Sequence, residues 1–131
     1  MAGLFDTIGI SGTGLTVHRK WMDAIADNLS NVNDTVPGNQ PVFAERYVQA
    51  ASAPGGGVEV VGVRYGSSAG IQSYDPQNPL ADANGYVRHA DVDVTGQMTQ
   101  MIMAQRGYEA NLSVLSRATE AYQQALQLGN K

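Results

Sequence analysis

The sequence predicts a mainly α chain with a β insert. Long N- and C-terminal helices form a coiled-coil-like pair, and a small β-hairpin-rich segment lies between them. Three observations carry this expectation. The last forty residues repeat apolar positions at steps of three, four and seven: Val94, Met98, Met101, Tyr108, Leu112, Leu115, Tyr122 and Leu126. Residues 4–33 do the same with Ile8, Leu15, Met22, Ile25, Leu29 and Val32. Heptad spacing sustained this way marks amphipathic helices with an apolar seam. Between them the chain turns rich in Gly, Pro and β-branched residues, the signature of strands and turns.

The N-terminal helix is expected from about Asp6 to Asn31. Ser11 and His18 fill the seam positions between its large residues. Gly9, Gly12 and Gly14 each cost about 1 kcal/mol relative to Ala, so this helix is marginal alone. The same small residues let a second backbone approach closely. Asn31, Asn33 and Asp34 end the pattern with turn-forming side chains.

The insert opens with the break Pro37-Gly38-Asn39-Gln40-Pro41. A strand is expected over Val42–Ala50 and a stronger one over Val58–Tyr65, joined by Pro54-Gly55-Gly56-Gly57 as a hairpin. A lone hairpin is barely stable in water, so Ile71–Tyr74 is expected to supply a third strand. Turns at Asp75–Pro79 and Asp82–Gly85 return the chain to the C-terminal helix, expected over 91–131. At about 1.5 Å per residue such a helix reaches on the order of 50 Å, too long to cover its own stripe. Gln105 and Thr119 interrupt that stripe at places where polar residues set register and partner number. The expected division is therefore 1–34 with 91–131 as a terminal helical domain, and 35–90 as a β-rich extension and loop.

Composition narrows the function classes. The chain has 131 residues, 15% of them charged, and a net charge of −4. Without a cluster of Lys and Arg it is a poor partner for nucleic acid or for an anionic membrane surface. It has no cysteine, which excludes disulfides, thiolate metal sites and a Cys nucleophile. No apolar run is long enough to insert in a bilayer, and the N-terminus lacks the basic and apolar regions of a cleaved signal peptide.

Motifs that suggest chemistry lack their required partners. Gly9–Thr16 looks like a phosphate loop, but Leu15 stands where Lys is needed and no strand precedes it. Leu80–Asp91 can be laid on a calcium loop only with Leu80 as first ligand, and leucine cannot coordinate. His89, Asp91 and Asp93 could make an acid–base or metal cluster, yet carboxylates at a helix start are expected as caps. The chain is read as no enzyme, with no cofactor and no metal.

The segment Asn78-Pro79-Leu80-Ala81-Asp82-Ala83-Asn84-Gly85-Tyr86-Val87, with Val92-Asp93-Val94 after it, closely resembles the stretch before the C-terminal helix in bacterial flagellar rod proteins. Ala26-Asp27-Asn28-Leu29-Ser30-Asn31 resembles the Asn-Leu-Ala-Asn motif of flagellar rod and hook proteins, with Ser30 in place of Ala. Tyr108-Glu109-Ala110-Asn111 and Leu126-Gln127-Leu128-Gly129 resemble that family's C-terminal helix. The resemblance implies a structural subunit of the proximal rod in the flagellar basal body. Its partners would be further copies of the chain, other rod proteins and membrane-ring or adaptor proteins. It also implies a periplasmic location, reached through the flagellar type III export apparatus without signal cleavage. A short apolar export signal is then expected near Leu4, Phe5, Ile8 and Gly9. The assembly interface is expected to be Ile8, Leu15, Met22, Ile25 and Leu29 with Met98, Met101, Tyr108, Leu112, Leu115, Tyr122 and Leu126. Competing readings are a secreted helical-hairpin adaptor or adhesin that does not polymerise, and a small enzyme using His89.

Overall fold

The computed structural model describes residues 2–130. In chain order the elements are α1 (Ala2–Ser30), β1 (Thr35–Pro37), β2 (Arg46–Ser52), β3 (Val58–Tyr65), β4 (Ile71–Tyr74), β5 (Tyr86–His89) and α2 (Val94–Gly129). Helix α1 starts earlier than its apolar pattern indicates, and α2 begins later than expected. Asp93 is the N-cap of α2, its Oδ1 accepting from Gly96 N at 3.1 Å. Lys131, the last residue of the expected helix, lies outside the described residues.

The helices run antiparallel along their whole length. Phe5 stacks near Tyr122, Gly14 faces Asn111, His18 faces Gly107, and Asn28 bonds Gln97. Their seam is made of small and polar side chains. Ser11, Gly14 and Asn28 are buried on α1, and Gln97, Ala104 and Ala118 on α2. Ile25, 1% exposed, is the one large apolar side chain sealed at its centre. A Cβ on Gly14 would lie 2.6 Å from Asn111 Oδ1, and one on Gly107 would strike the His18 ring. These two glycines set the closeness of the backbones. Gly9 and Gly12 meet nothing within 4 Å.

The insert contains two separate sheets. β2 and β3 form the expected hairpin, with register from Arg46↔Tyr65 to Ser52↔Val58 and a bulge at Gln49/Ala50. Its first strand starts later than Val42. The backbone at Val42 and Phe43 is bonded elsewhere, to Ser68 O and to Asp34 Oδ2, and so cannot join the ladder. β4 does not extend the hairpin. It pairs with β5, and β5 pairs with β1, in a three-stranded antiparallel sheet of order β1-β5-β4. Val87, fully buried, seals this sheet against the rest. The turn before β5 is built on Asp82, whose Oδ1 accepts from Asn84 N and Tyr86 N, and Gly85 adopts the left-handed φ of +83°.

Candidate assembly surface

Heptad geometry divides each helix into a central row and two flanks. On α1 the centre is Ser11, His18 and Ile25. The flank holding Gly14, Trp21 and Asn28 carries the β2–β3 hairpin. Asn28 Nδ2 donates to Arg46 O at 3.0 Å, and Arg46 N donates to Asn28 Oδ1 at 2.8 Å. Val58 N donates to Thr13 Oγ1 at 3.1 Å, fastening the hairpin tip. Between these two points Val17, His18 and Trp21 line a cleft with Val48, Ala50 and Val58. On α2 the same side bears Gln100, which meets Trp21 Nε1 at 3.5 Å.

The opposite side of the pair has no such cover. It presents Ile8, Leu15, Met22 and Leu29 from α1 and Met101, Tyr108, Leu115 and Tyr122 from α2, all half-buried. Phe5 and Tyr122, with ring centroids 5.2 Å apart, belong to this side and show that the two rows lie next to each other. Beyond them Met98, Leu112 and Leu126 are 58%, 47% and 48% exposed. The residues assigned to the assembly stripe from sequence thus come together on one two-helix face. Ile25 is the exception, because it is consumed within the pair. Gln105 and Thr119 are exposed and sit along the edge of this face rather than in the intramolecular seam. The reason is that the monomer's own seam uses the neighbouring small row of α2 (Gln97, Ala104, Asn111, Ala118). Packing backbones closely there turns the larger residues outward.

One end of the pair is held by a buried polar network that apolar periodicity does not reveal. Asn28, fully buried, donates through Nδ2 to Gln97 Oε1 at 2.9 Å. Gln97 Nε2 reaches Glu45 Oε1 at 3.4 Å, and the same oxygen accepts from Asp93 N at 2.8 Å. Glu45 Oε2 accepts from the Tyr47 hydroxyl. That bond, with burial and the carboxylate's charge, pushes the Tyr47 phenol above its usual pKa of 10.0. The network joins the end of α1, the start of β2 and the first turn of α2. Of its members, sequence reading singles out only Asn28, within the Asn-Leu-Ser-Asn motif, and Asp93. Glu45 and Gln97 carry no local signal, since their partners lie 48 and 69 residues away.

The other motif residues build turns. Asn78 Oδ1 accepts from Leu80 N, Asn31 Nδ2 donates to Asp27 O, and Asp82 organises the loop into Tyr86. Ala26 and Pro79 are exposed, as is Leu80. His89 sits in β5 with Nδ1 on Thr35 Oγ1 at 2.9 Å. Among the described residues no group of three His, Asp or Glu is placed to hold a metal, and no helix is long and apolar enough to cross a membrane.

Paired terminal helices, a thin small-residue seam and one uncovered apolar face define a structural subunit of a larger assembly. Comparison with known proteins gives that class its family. Residues 83–128 match the family model described as flagellar basal body rod FlgEFG protein C-terminal. The chain is 39% identical over 131 residues to flagellar basal-body rod protein FlgC of Salmonella typhimurium, an alignment covering 96% of this chain and 98% of that one. It is 33% identical to FlgC of Aquifex aeolicus, covering 97% and 98% of the two chains. With FlgC of Borreliella burgdorferi the identity is 32%, covering 95% and 96%. The chain belongs to the FlgC family of flagellar basal-body rod proteins. These relatives are flagellar basal-body rod proteins.

Proposed function

We propose that this chain is a subunit of the proximal rod, built into the shaft through the uncovered face of its helix pair. Other copies of the chain and other rod proteins cover Leu15, Met22, Met98, Met101, Tyr108, Leu112, Leu115, Tyr122 and Leu126. Membrane-ring or adaptor proteins contact it in the assembled basal body. It reaches the periplasm through the flagellar type III export apparatus, without a cleaved signal peptide, and it neither binds nucleic acid nor inserts in the membrane. One observation carries this reading: in a chain whose relatives are rod proteins, a row of large apolar side chains on each terminal helix lies on the same side of the pair, only half covered, with Met98, Leu112 and Leu126 about half in solvent. Burying such a face recovers about 25 cal/mol per Å² of apolar surface, enough to hold a subunit in place when a second helical face meets it.

A density map of intact basal bodies tests the proposal. The subunit is expected in the proximal rod, periplasmic, with Met98, Leu112 and Leu126 within van der Waals reach of neighbouring helices. A map that placed the chain there with this face in solvent would refute the assigned interface. A map without the chain in the rod would refute the function.

A further inference from the structure

Asn84 and Gly85 form an Asn-Gly pair on an exposed turn, the sequence in which an asparagine side chain is most readily attacked by the next backbone nitrogen, because glycine places no Cβ in the way. We propose that Asn84–Gly85 is a site of spontaneous deamidation, and that the Asp82-centred turn holds it closed in the folded subunit. The reaction needs Gly85 N to lose its proton to water and form a bond to Asn84 Cγ. The bond from Cγ to the side-chain nitrogen then breaks, and ammonia leaves. The resulting five-membered imide takes up water at either carbonyl, giving aspartate or isoaspartate at position 84. No oxidant, reductant or cofactor takes part.

The structure supplies both the exposure and the block. Asn84 is exposed, so water and base reach its amide. Gly85 N, the attacking atom, donates to Asp82 O at 3.0 Å. The flanking amides are held as well: Asn84 N at 2.9 Å and Tyr86 N at 3.0 Å both donate to Asp82 Oδ1. Asp82 N closes the loop on Tyr86 O at 2.9 Å. Such an Asx-type cage fixes the dihedral angles of the very residues that must rotate to bring Gly85 N onto Cγ. Opening the turn is therefore a required first step. The change matters because isoaspartate adds a main-chain carbon within a loop that ends at β5. Tyr86 begins the strand paired with both β1 and β4, so a longer loop shifts or frays the sheet.

The test incubates full-length protein at mildly alkaline pH. It follows the mass of the proteolytic peptide containing Asn84 and its isoaspartate content. Three samples are compared: folded wild type, folded Asp82→Ala, and wild type unfolded in urea. The unfolded chain is expected to convert at least about tenfold faster than the folded one, because in the native state the turn must first open. Folded Asp82→Ala is expected in between. Circular dichroism checks that it is folded, and Asp82→Asn, which keeps Oδ1 as an acceptor, is expected to stay near the wild-type rate. Asn84→Gln is expected to remove the mass change. Equal rates in folded and unfolded wild type would overturn the proposed block. So would an Asp82→Ala that is folded yet as slow as wild type. No conversion in urea, or conversion that persists in Asn84→Gln, would overturn the site itself.

Discussion

Asn28 shows how much a single side chain holds together in this chain. Its carboxamide satisfies both backbone groups of Arg46 and one oxygen of Gln97, at a position with no access to water. Truncation to Ala leaves Arg46 N and Gln97 Oε1 without that partner. Each buried orphan costs about 1–3 kcal/mol, so Asn28→Ala is expected to lower unfolding stability by about 3 kcal/mol, measured from the urea midpoint at unchanged slope. A loss below about 0.5 kcal/mol, the range of ordinary surface substitutions, would show that the network is not structural. Tyr47 extends the same network into a pH dependence. Its phenol is raised by the bond to Glu45, by burial and by that carboxylate's charge, so the fold favours the protonated form. The stabilisation is complete below the unfolded value of about 10 and is lost as pH climbs through the higher folded value. Wild type should exceed Tyr47→Phe in stability up to about pH 10, and the gap should close above it. A gap that stays constant into the alkaline range would remove Tyr47 ionisation from the account.

At the scale of elements, the helix pair is tight at one end and loose at the other. Near the network the seam holds Ala24, Ile25, Asn28, Gln97 and Ala104, all buried. Toward the far tip, the described side chains of α1 before Ser11 and those of α2 after Ala118 include none in the buried class. Amide exchange in the free subunit should therefore be fastest at 3–10 and 119–129 and slowest at 21–30 and 97–108, since local opening follows the density of buried contacts. Uniform protection along both helices would contradict this gradient. The helices themselves were legible from their heptads, as were the glycine-turned hairpin and the Asp82 turn. The short strands β1 and β5 were not. Thr35–Pro37 and Tyr86–His89 lack an alternating run long enough to read, and each exists because the other lies opposite it. The candidate face was legible for a different reason. Met98, Leu112 and Leu126 stand in a true heptad row, but nothing local says whether such a row meets its own chain or another. Only the position of small residues one row over, at Ala104 and Ala118, decides that.

For the whole molecule, the proposed interface assigns stability and assembly to different rows of one helix. Leu112 separates them. It is 47% exposed and lies on the uncovered face, four residues after Tyr108 and three before Leu115. A carboxylate there stays in water while the subunit is alone, so Leu112→Asp should change unfolding free energy by no more than about 0.5 kcal/mol. In the rod the same carboxylate would be pressed between apolar helix faces, where an unpaired charge costs several kcal/mol, more than one subunit contact is expected to supply. The variant should therefore accumulate and fold normally yet fail to build rods, and cells carrying it in place of the wild type should not spread in soft agar. Ala104→Asp is the contrasting case, since Ala104 is 0% exposed within the pair and its replacement should unfold the monomer itself. If Leu112→Asp cells swim normally while the protein is present at wild-type level, the apolar face is not where this subunit meets its neighbours, and the side bearing the β2–β3 hairpin becomes the surface to map instead.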